Sequence, residues 1–174
     1  YAGRIDSGVF RTGDEITVLP SGFSSSIKSI HQGEKQLEEA FSPMSVNITL
    51  EDDIDISRGD MIVRKNNQPV KTQEIDAMIC WLGNDDFNPK TKFIVRHTTN
   101  EQIAIIKEII YKVNIDTLGR IEKETEIAMN DIARIKLKTA GPLMIDGYRD
   151  NRSTGSFILI NPGTNETVAA GMIL

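Results

Sequence analysis

Residues 157–173 constrain the fold more than any other stretch of the sequence. They contain an apolar run, then a tight turn, then a second extended segment. Residues 157–160 (FILI) are aromatic and β-branched, which is typical of a buried strand. Residues 161–165 (NPGTN) predict a turn, because proline fixes φ and glycine permits a positive φ. Residues 167–173 (TVAAGMI) form a strand of small residues, which lets another backbone approach closely. A hairpin here predicts a β-barrel whose last open edge it closes.

The first part of the chain has short extended segments separated by glycine, aspartate and proline turns. Residues 15–19 and 45–50 are the clearest of these, and Val46, Ile48 and Leu50 share one face of the second. Many short strands with turn signals between them indicate a sandwich or a barrel. Residues 32–40 are too few and too polar to predict a helix.

A polar segment divides the chain. Residues 63–70 (VRKNNQPV) are the best candidate linker, because asparagine and proline cluster there between two extended regions. We therefore predict an all-β protein of two consecutive antiparallel β-barrels. The first covers residues 1–70, with room for a few of its first residues before Tyr1, and the second covers residues 71–174.

Residues 99–115 carry two competing patterns. Thr99 with Gln102 resembles a helix capping box, and isoleucines recur at helical spacing from Ile103. A strand pattern is longer and richer in β-branched and aromatic residues, with Lys107 as its one exception. We therefore predict a strand with these residues on one face: Ile103, Ile105, Ile109, Tyr111, Val113 and Ile115. Residues 118–130 are expected to form a loop or a short helical turn.

Composition disfavours several classes of function. The net charge of −5 is spread evenly, so neither half is a basic nucleic-acid patch. The sequence has no run of about 18 apolar residues and no signal-peptide pattern at its start. The single cysteine, Cys80, fits a reducing compartment, and we expect a cytoplasmic protein. Its neighbours Ile79 and Trp81 predict a buried structural thiol.

No residue pattern predicts an active site. His31 and His97 are far apart and have no neighbouring ligands, so both are expected at the surface or at strand edges. Residues 51–55 (EDDID) are expected to form a solvated acidic turn. A P-loop needs Gly-Lys followed by Ser or Thr, and the sequence contains no Gly-Lys pair. We therefore predict no catalytic, cofactor-binding or metal-binding residue in this chain.

One polar loop has an unusual mix of residues and is the only candidate site. It contains Tyr148, Asn151, Arg152, Thr154 and Gly155. Asn and Asp side chains can satisfy loop backbone, and glycine permits the turn into the next strand. The alternative is a docking surface for a partner. We favour the structural interpretation.

The same loop carries a family resemblance. Its Tyr-x-x-Asn-x-x-Thr-Gly spacing, followed by TVAAGMI, resembles the large, GTPase-type subunit of bacterial sulfate adenylyltransferase. Residues 1–22 resemble the second domain of translation-type GTPases. The stretches that separate the sulfate family from elongation factors are the terminal loop and hairpin together with residues 38–41 (EEAF), 48–63 and 111–117 (YKVNIDT).

The resemblance implies barrels like domains II and III of elongation factor Tu. In that family, a small subunit makes adenylyl sulfate and pyrophosphate from ATP and sulfate, and GTP hydrolysis by the large subunit drives the reaction. GTP and Mg²⁺ are expected in an N-terminal GTPase domain that is absent from this sequence. The implied partners are that domain and the small subunit, without nucleic acid or membrane. The parent would be an enzyme, and this fragment alone would be inactive.

Two alternatives remain open. A translation-factor module would bind tRNA across its barrels, with an affinity that falls as salt rises. A stand-alone β-barrel adaptor would instead come from a gene that starts near Tyr1, with no GTPase encoded upstream.

Overall fold

A computed structural model describes residues 1–85, 87–122 and 126–174, and these residues divide into two compact units. The first unit is Tyr1–Pro69 and the second is Val70–Leu174. Strands and their connecting turns make up both units, and no helix occurs in the described residues. Consequently, no described helix is long and apolar enough to cross a membrane. The prediction of an all-β fold is confirmed.

The first unit is built from eight strands that pair antiparallel. They are β1 (Ala2–Arg4), β2 (Val9–Arg11), β3 (Glu15–Leu19), β4 (Ser24–Gln32), β5 (Lys35–Leu37), β6 (Glu39–Phe41), β7 (Ser45–Leu50) and β8 (Met61–Arg64). The main sheet runs β1-β7-β4-β3-β8 with β5 on β4, and β2 pairs β6. As predicted, alternate residues of β7 are buried, and they pack with Ile16, Ile27 and Ile30 in one core.

The second unit is a closed barrel. Its strands are β9 (Val70–Trp81), β10 (Phe93–His97), β11 (Asn100–Val113), β12 (Arg120–Glu122), β13 (Ile132–Ile145), β14 (Ser156–Ile160) and β15 (Thr167–Ile173). The order β10-β14-β15-β9-β13-β11 closes through pairing of β10 with β11, and β12 extends β11. The β14–β15 hairpin therefore joins β10 to β9 and removes the last open edge, as its sequence predicts.

Strand β11 confirms the predicted strand but not its predicted face. Ile103 and Ile105 are 45% and 38% exposed, whereas Ala104 and Ile106 are buried. Register shifts between Ile106 and Glu108, and again between Ile109 and Tyr111, mark β-bulges. Each bulge adds a residue without a partner and so reverses the inside–outside alternation. The lysine that interrupts the sequence pattern, Lys107, lies at the first of these bulges.

Two segments in which the sequence pattern predicts no strand form short strands in the structure. Residues 32–40 contribute β5 and part of β6, both at sheet edges. Within residues 118–130, the sequence suggests a loop or helical turn, but Arg120–Glu122 pair with β11 as β12. Residues 123–125 of that segment lie outside the described residues.

Small residues in β15 make room for a ring. Gly171 lies opposite Phe157 across the β14–β15 pair. A Cβ atom on Gly171 would lie 2.3 Å from the Phe157 ring. The glycine thus lets an aromatic side chain, rather than a second backbone, lie against the strand. Around this contact the barrel core includes Trp81, which packs edge-on against Phe93 with ring centroids 5.9 Å apart.

Candidate functional site

The candidate loop, residues 146–155, connects β13 to β14 and is organised by Asn151. The Asp150 and Asn151 amides both donate to the Gly147 carbonyl, at 2.9 and 3.0 Å. The Asn151 side-chain oxygen accepts from the Ser153 amide at 3.1 Å. Its carbonyl accepts from the Gly155 amide at 2.8 Å. Asn151 therefore satisfies several backbone groups of the loop.

Thr154 is buried at the base of the loop and bonds in two directions. Its hydroxyl donates to Asp146 Oδ2 at 2.5 Å. Its carbonyl accepts from His97 Nε2 at 2.7 Å, and His97 is only 1% exposed. The expectation of a surface or edge histidine is therefore wrong. His97 follows Phe93 and Val95 at alternate positions of β10, and all three point inward. That alternation is the sequence signal that could have found it.

Gly155 allows the loop to fold back on itself. A Cβ atom there would lie 2.4 Å from Tyr148 Cα and 2.6 Å from the Asn151 carbonyl oxygen. Tyr148 and Gly155 also pin the loop to β15, because the Tyr148 amide donates to the Ile173 carbonyl and the Ile173 amide donates to the Gly155 carbonyl. Four of the five candidate residues are thus brought together. The fifth, Arg152, is exposed.

The other polar candidates make local contacts. In the acidic segment 51–55, Asp52 Oδ2 accepts from the Ser25 hydroxyl at 2.8 Å, beside an open depression of about 260 Å³. His31 Nε2 lies 2.9 Å from the Ser29 hydroxyl. In the described part of the chain, no three His, Cys, Asp or Glu side chains converge in a way that could hold a metal ion.

Sequence reasoning missed an apolar surface on the outside of the second barrel. Seven directly opposed residues, one from each strand, form a row that we call the apolar row. In sheet order they are Arg96, Ile158, Ala170, Cys80, Ile132, Val113 and Arg120. Their sequence neighbours Phe157, Ile79 and Ala133 are buried, so the row faces outward. Arginines stand at both ends, with only apolar or thiol side chains between them.

Cys80 belongs to this row and is partly exposed. The expectation of a buried thiol is therefore wrong. Ile79 and Trp81 point into the barrel, so the residue between them must point out. In the neighbouring outward row, Met172 and Met78 are followed by Arg134, and the hydroxyl of Tyr111 lies 3.9 Å from the Met78 sulfur.

Other outward positions of the second barrel carry charged side chains in ion pairs. Lys107 contacts Glu74 at 3.0 Å, and Lys136 contacts Glu108 at 3.2 Å. Arg134 binds Asp76 through two hydrogen bonds, Nε to Oδ1 at 2.9 Å and Nη2 to Oδ2 at 2.7 Å. The hydrogen bonding from Arg134, only partly opposed by burial, holds the pKa of Asp76 below its ordinary value of 3.8.

This pKa shift predicts a small acid-sensitive contribution to stability. Because the folded pKa of Asp76 is depressed, the pair stabilises the fold at pH values above 3.8, and the contribution is lost as the pH falls below that value. Both side chains are about one-third exposed, so water screens the pair and Arg134→Gln should destabilise the fold only slightly at pH 7. Urea unfolding at pH 7 and at about pH 2 measures the difference, with the exposed Arg152→Gln as control. An Arg134→Gln cost that is independent of pH would contradict the assignment.

Comparison with known proteins agrees with this geometry. The two consecutive antiparallel units define an all-β two-barrel module. Residues 74–174 match the family model described as GTP-eEF1A C-terminal domain-like, and the chain belongs to that family. The solved structure titled "crystal structure analysis of sup35 complexed with GMPPNP" superposes with a TM-score of 0.89 at 17% identity. It covers 99% of this chain and 42% of the solved one, and it shows the fold.

Curated relatives match over the whole chain. The "Bifunctional enzyme CysN/CysC" of Mycobacterium tuberculosis is 49% identical over 175 residues, which are 100% of this chain and 28% of the relative. The "Sulfate adenylyltransferase subunit 1" of Bacteroides fragilis is 41% identical over 174 residues, again 100% of this chain and 36% of the relative. The resemblance to the sulfate adenylyltransferase subunit is confirmed. The chain spans about a third of the length of these relatives.

Proposed function

We propose that this chain is the non-catalytic two-barrel portion of a sulfate adenylyltransferase subunit 1. The observation that carries the proposal is similarity over the whole of this chain, at 36–49% identity, to relatives that bear that name or the name of the bifunctional enzyme. The parent protein would take part in sulfate assimilation in the cytoplasm, where adenylyl sulfate forms from ATP and sulfate.

The nucleotide chemistry of the parent would lie outside these residues. GTP and Mg²⁺ would bind in a preceding GTPase domain, since this sequence has no Gly-Lys pair for a P-loop. The acidic segment 51–55 offers no substitute. Its Asp52 is already hydrogen-bonded to Ser25.

The barrels would act as a rigid connection. In the second unit, a closed six-stranded ring with a continuous apolar core resists internal deformation, because packed cores shift as bodies rather than bend. Loss of the γ-phosphate in the GTPase domain would reposition such a body, and the small, adenylyl-transferring subunit would sense the movement. The small subunit and the GTPase domain are the two partners this role requires.

The test is reconstitution of the complete parent subunit with the small subunit. We expect adenylyl sulfate to form from ATP and sulfate, with a yield that rises when GTP is supplied, and we expect the 174-residue chain alone to hydrolyse no GTP. A parent that gives no GTP-dependent gain in adenylyl sulfate would contradict the proposal. A parent that instead binds tRNA with a steep salt dependence would favour the translation-factor alternative.

A further inference from the structure

The first half of strand β9 lies at an edge of the second barrel's sheet. Strand β13 pairs with β9 along nearly its whole length on one side. On the other side, β15 pairs with β9 only from Ala77 to Trp81, and the Leu174 amide donates one more hydrogen bond to the Asp76 carbonyl. Within the described part of the chain, no strand pairs with residues 70–75 on that side, which we call the open edge. An open edge can add a strand from another chain, so folded proteins normally block it.

The direction of the backbone places Glu74 at the open edge. Successive residues of a paired strand direct their amides and carbonyls to opposite sides. The Asp76 carbonyl is directed to the β15 side, where it accepts from Leu174. The Gln73 carbonyl is directed to the β13 side, where it accepts from the Thr139 hydroxyl at 3.3 Å. Glu74 follows Gln73 and alternates with it, so its amide and carbonyl both point to the open edge.

The hydroxyl of Thr72 occupies both of these backbone groups. It donates to the Glu74 carbonyl at 3.0 Å and accepts from the Glu74 amide at 3.1 Å. One side chain thus takes the donor and the acceptor that an added strand would use. Glu74 is exposed, so water could satisfy the same two groups if they needed only a hydrogen-bond partner. The contact therefore favours a role in excluding another strand.

Charge protects this position less than the hydroxyl does. Charged side chains on an edge discourage strand addition, because the incoming strand must desolvate them or meet a like charge. The Glu74 carboxylate, however, lies 3.0 Å from the Lys107 ammonium on the outer face of the barrel. Its charge is balanced within the chain, which leaves the Thr72 hydroxyl as the group that blocks the Glu74 backbone.

We propose that Thr72 keeps the open edge of β9 from pairing with the same edge of a second copy of this chain. The second copy is the partner that fits, because two identical edges can pair antiparallel about a two-fold axis, each supplying the groups that the other needs. This role belongs to the second barrel itself and does not depend on the function of the parent protein.

The experiment removes the hydroxyl and measures the mass of the 174-residue chain in solution. Thr72→Val replaces the hydroxyl with a methyl group, and Thr72→Ala removes it without adding apolar surface. Sedimentation velocity from micromolar to millimolar concentration should show a monomeric wild type, whereas the average mass of both variants should rise to about twice that value. Thr72→Ser keeps the hydroxyl and should remain monomeric. The matched control is Thr167→Val, an exposed threonine in β15, which has partner strands on both sides.

Hydrogen exchange of the Glu74 amide shows whether association uses this edge. In dilute Thr72→Val, the amide loses its acceptor and should exchange about 5-fold faster than in the wild type. At high concentration a second strand should cover the amide, and its exchange should become slower than in the wild type. Both variants should keep the wild-type urea midpoint, because the hydroxyl lies outside the core.

Three results would overturn the role of Thr72. Hydroxyl-free variants that stay monomeric at millimolar concentration would show that the hydroxyl does not prevent strand addition. Association that leaves the Glu74 amide exchanging rapidly would place the contact elsewhere on the molecule. Equal association of Thr167→Val would show that any loss of a surface hydroxyl has the same effect. Association of both hydroxyl-free variants with protection of the Glu74 amide, absent from Thr72→Ser and Thr167→Val, would support the role.

Discussion

Replacement of Gly155 with alanine is expected to destabilise the second barrel by about 2–3 kcal/mol. The added Cβ would lie 2.4 Å from Tyr148 Cα and 2.6 Å from two further backbone atoms. Backbone cannot rotate away as the end of a side chain can, so relief would require the Tyr148–Ile173 and Gly155–Ile173 hydrogen bonds to lengthen. Denaturant unfolding followed by tryptophan fluorescence measures the effect, because the single tryptophan, Trp81, belongs to this barrel.

A glycine in open surroundings supplies the control for Gly155→Ala. At Gly163, in the turn between β14 and β15, the nearest atom to an added Cβ is the Asn161 side-chain oxygen at 3.4 Å. Gly163→Ala should therefore change the free energy of unfolding by less than about 0.5 kcal/mol. Equal effects of the two substitutions would show that the loop tolerates a Cβ at Gly155 and that its close packing does not determine stability.

Two neighbouring isoleucines of β11 should differ strongly in their contribution to stability. Ile106 is 5% exposed inside the barrel, whereas Ile105 is 38% exposed on the outer face. Ile106→Ala removes buried methyl groups and leaves a cavity, so we expect a loss of about 2–4 kcal/mol. Ile105→Ala should cost less than about 1 kcal/mol, because part of its surface already contacts water. The same fluorescence-detected unfolding measures both.

The two alanine variants test directly whether Ile106, rather than Ile105, faces the inside of the barrel. The sequence pattern places Ile105 among the apolar face and leaves Ile106 out of it, which predicts the opposite order of effects. A larger loss for Ile105→Ala than for Ile106→Ala would contradict the bulge near Lys107. Hydrogen exchange along β11 gives an independent check, since the residue added by a bulge lacks a regular ladder partner.

Local sequence patterns predicted the strands better than they predicted which way the residues point. The closing hairpin and the length of β11 follow from short-range signals, namely turn residues and runs of β-branched side chains. The orientation of β11 depends on bulges that form against β13, and the pairing partner lies about 30 residues away. A bulge is a property of two strands together, so one strand's sequence does not reveal it.

The same limit applies to the candidate surfaces. Asn151 and Gly155 were predictable as loop residues because their roles are local. The buried contact of His97 with Thr154 spans 57 residues, and the apolar row needs the register of six strand pairs. Cys80 illustrates the difference. The sequence neighbours of Cys80 indicate a strand with a buried face. Only the pairing of β9 with β13 and β15 shows that Ile132 and Ala170 lie on either side of Cys80.

The way the barrel closes has a consequence for its synthesis. Strands β9 and β10 are made early, yet the hairpin that joins them comes from residues 156–173, the last strands of this barrel to leave the ribosome. Until those residues emerge, each of the two strands keeps an edge with unpaired amides and carbonyls. The first unit can fold while translation continues, whereas the second must wait for its own completion. A pause in translation before residue 156 would therefore leave a nascent chain with two open edges, the state in which aggregation or chaperone binding is expected.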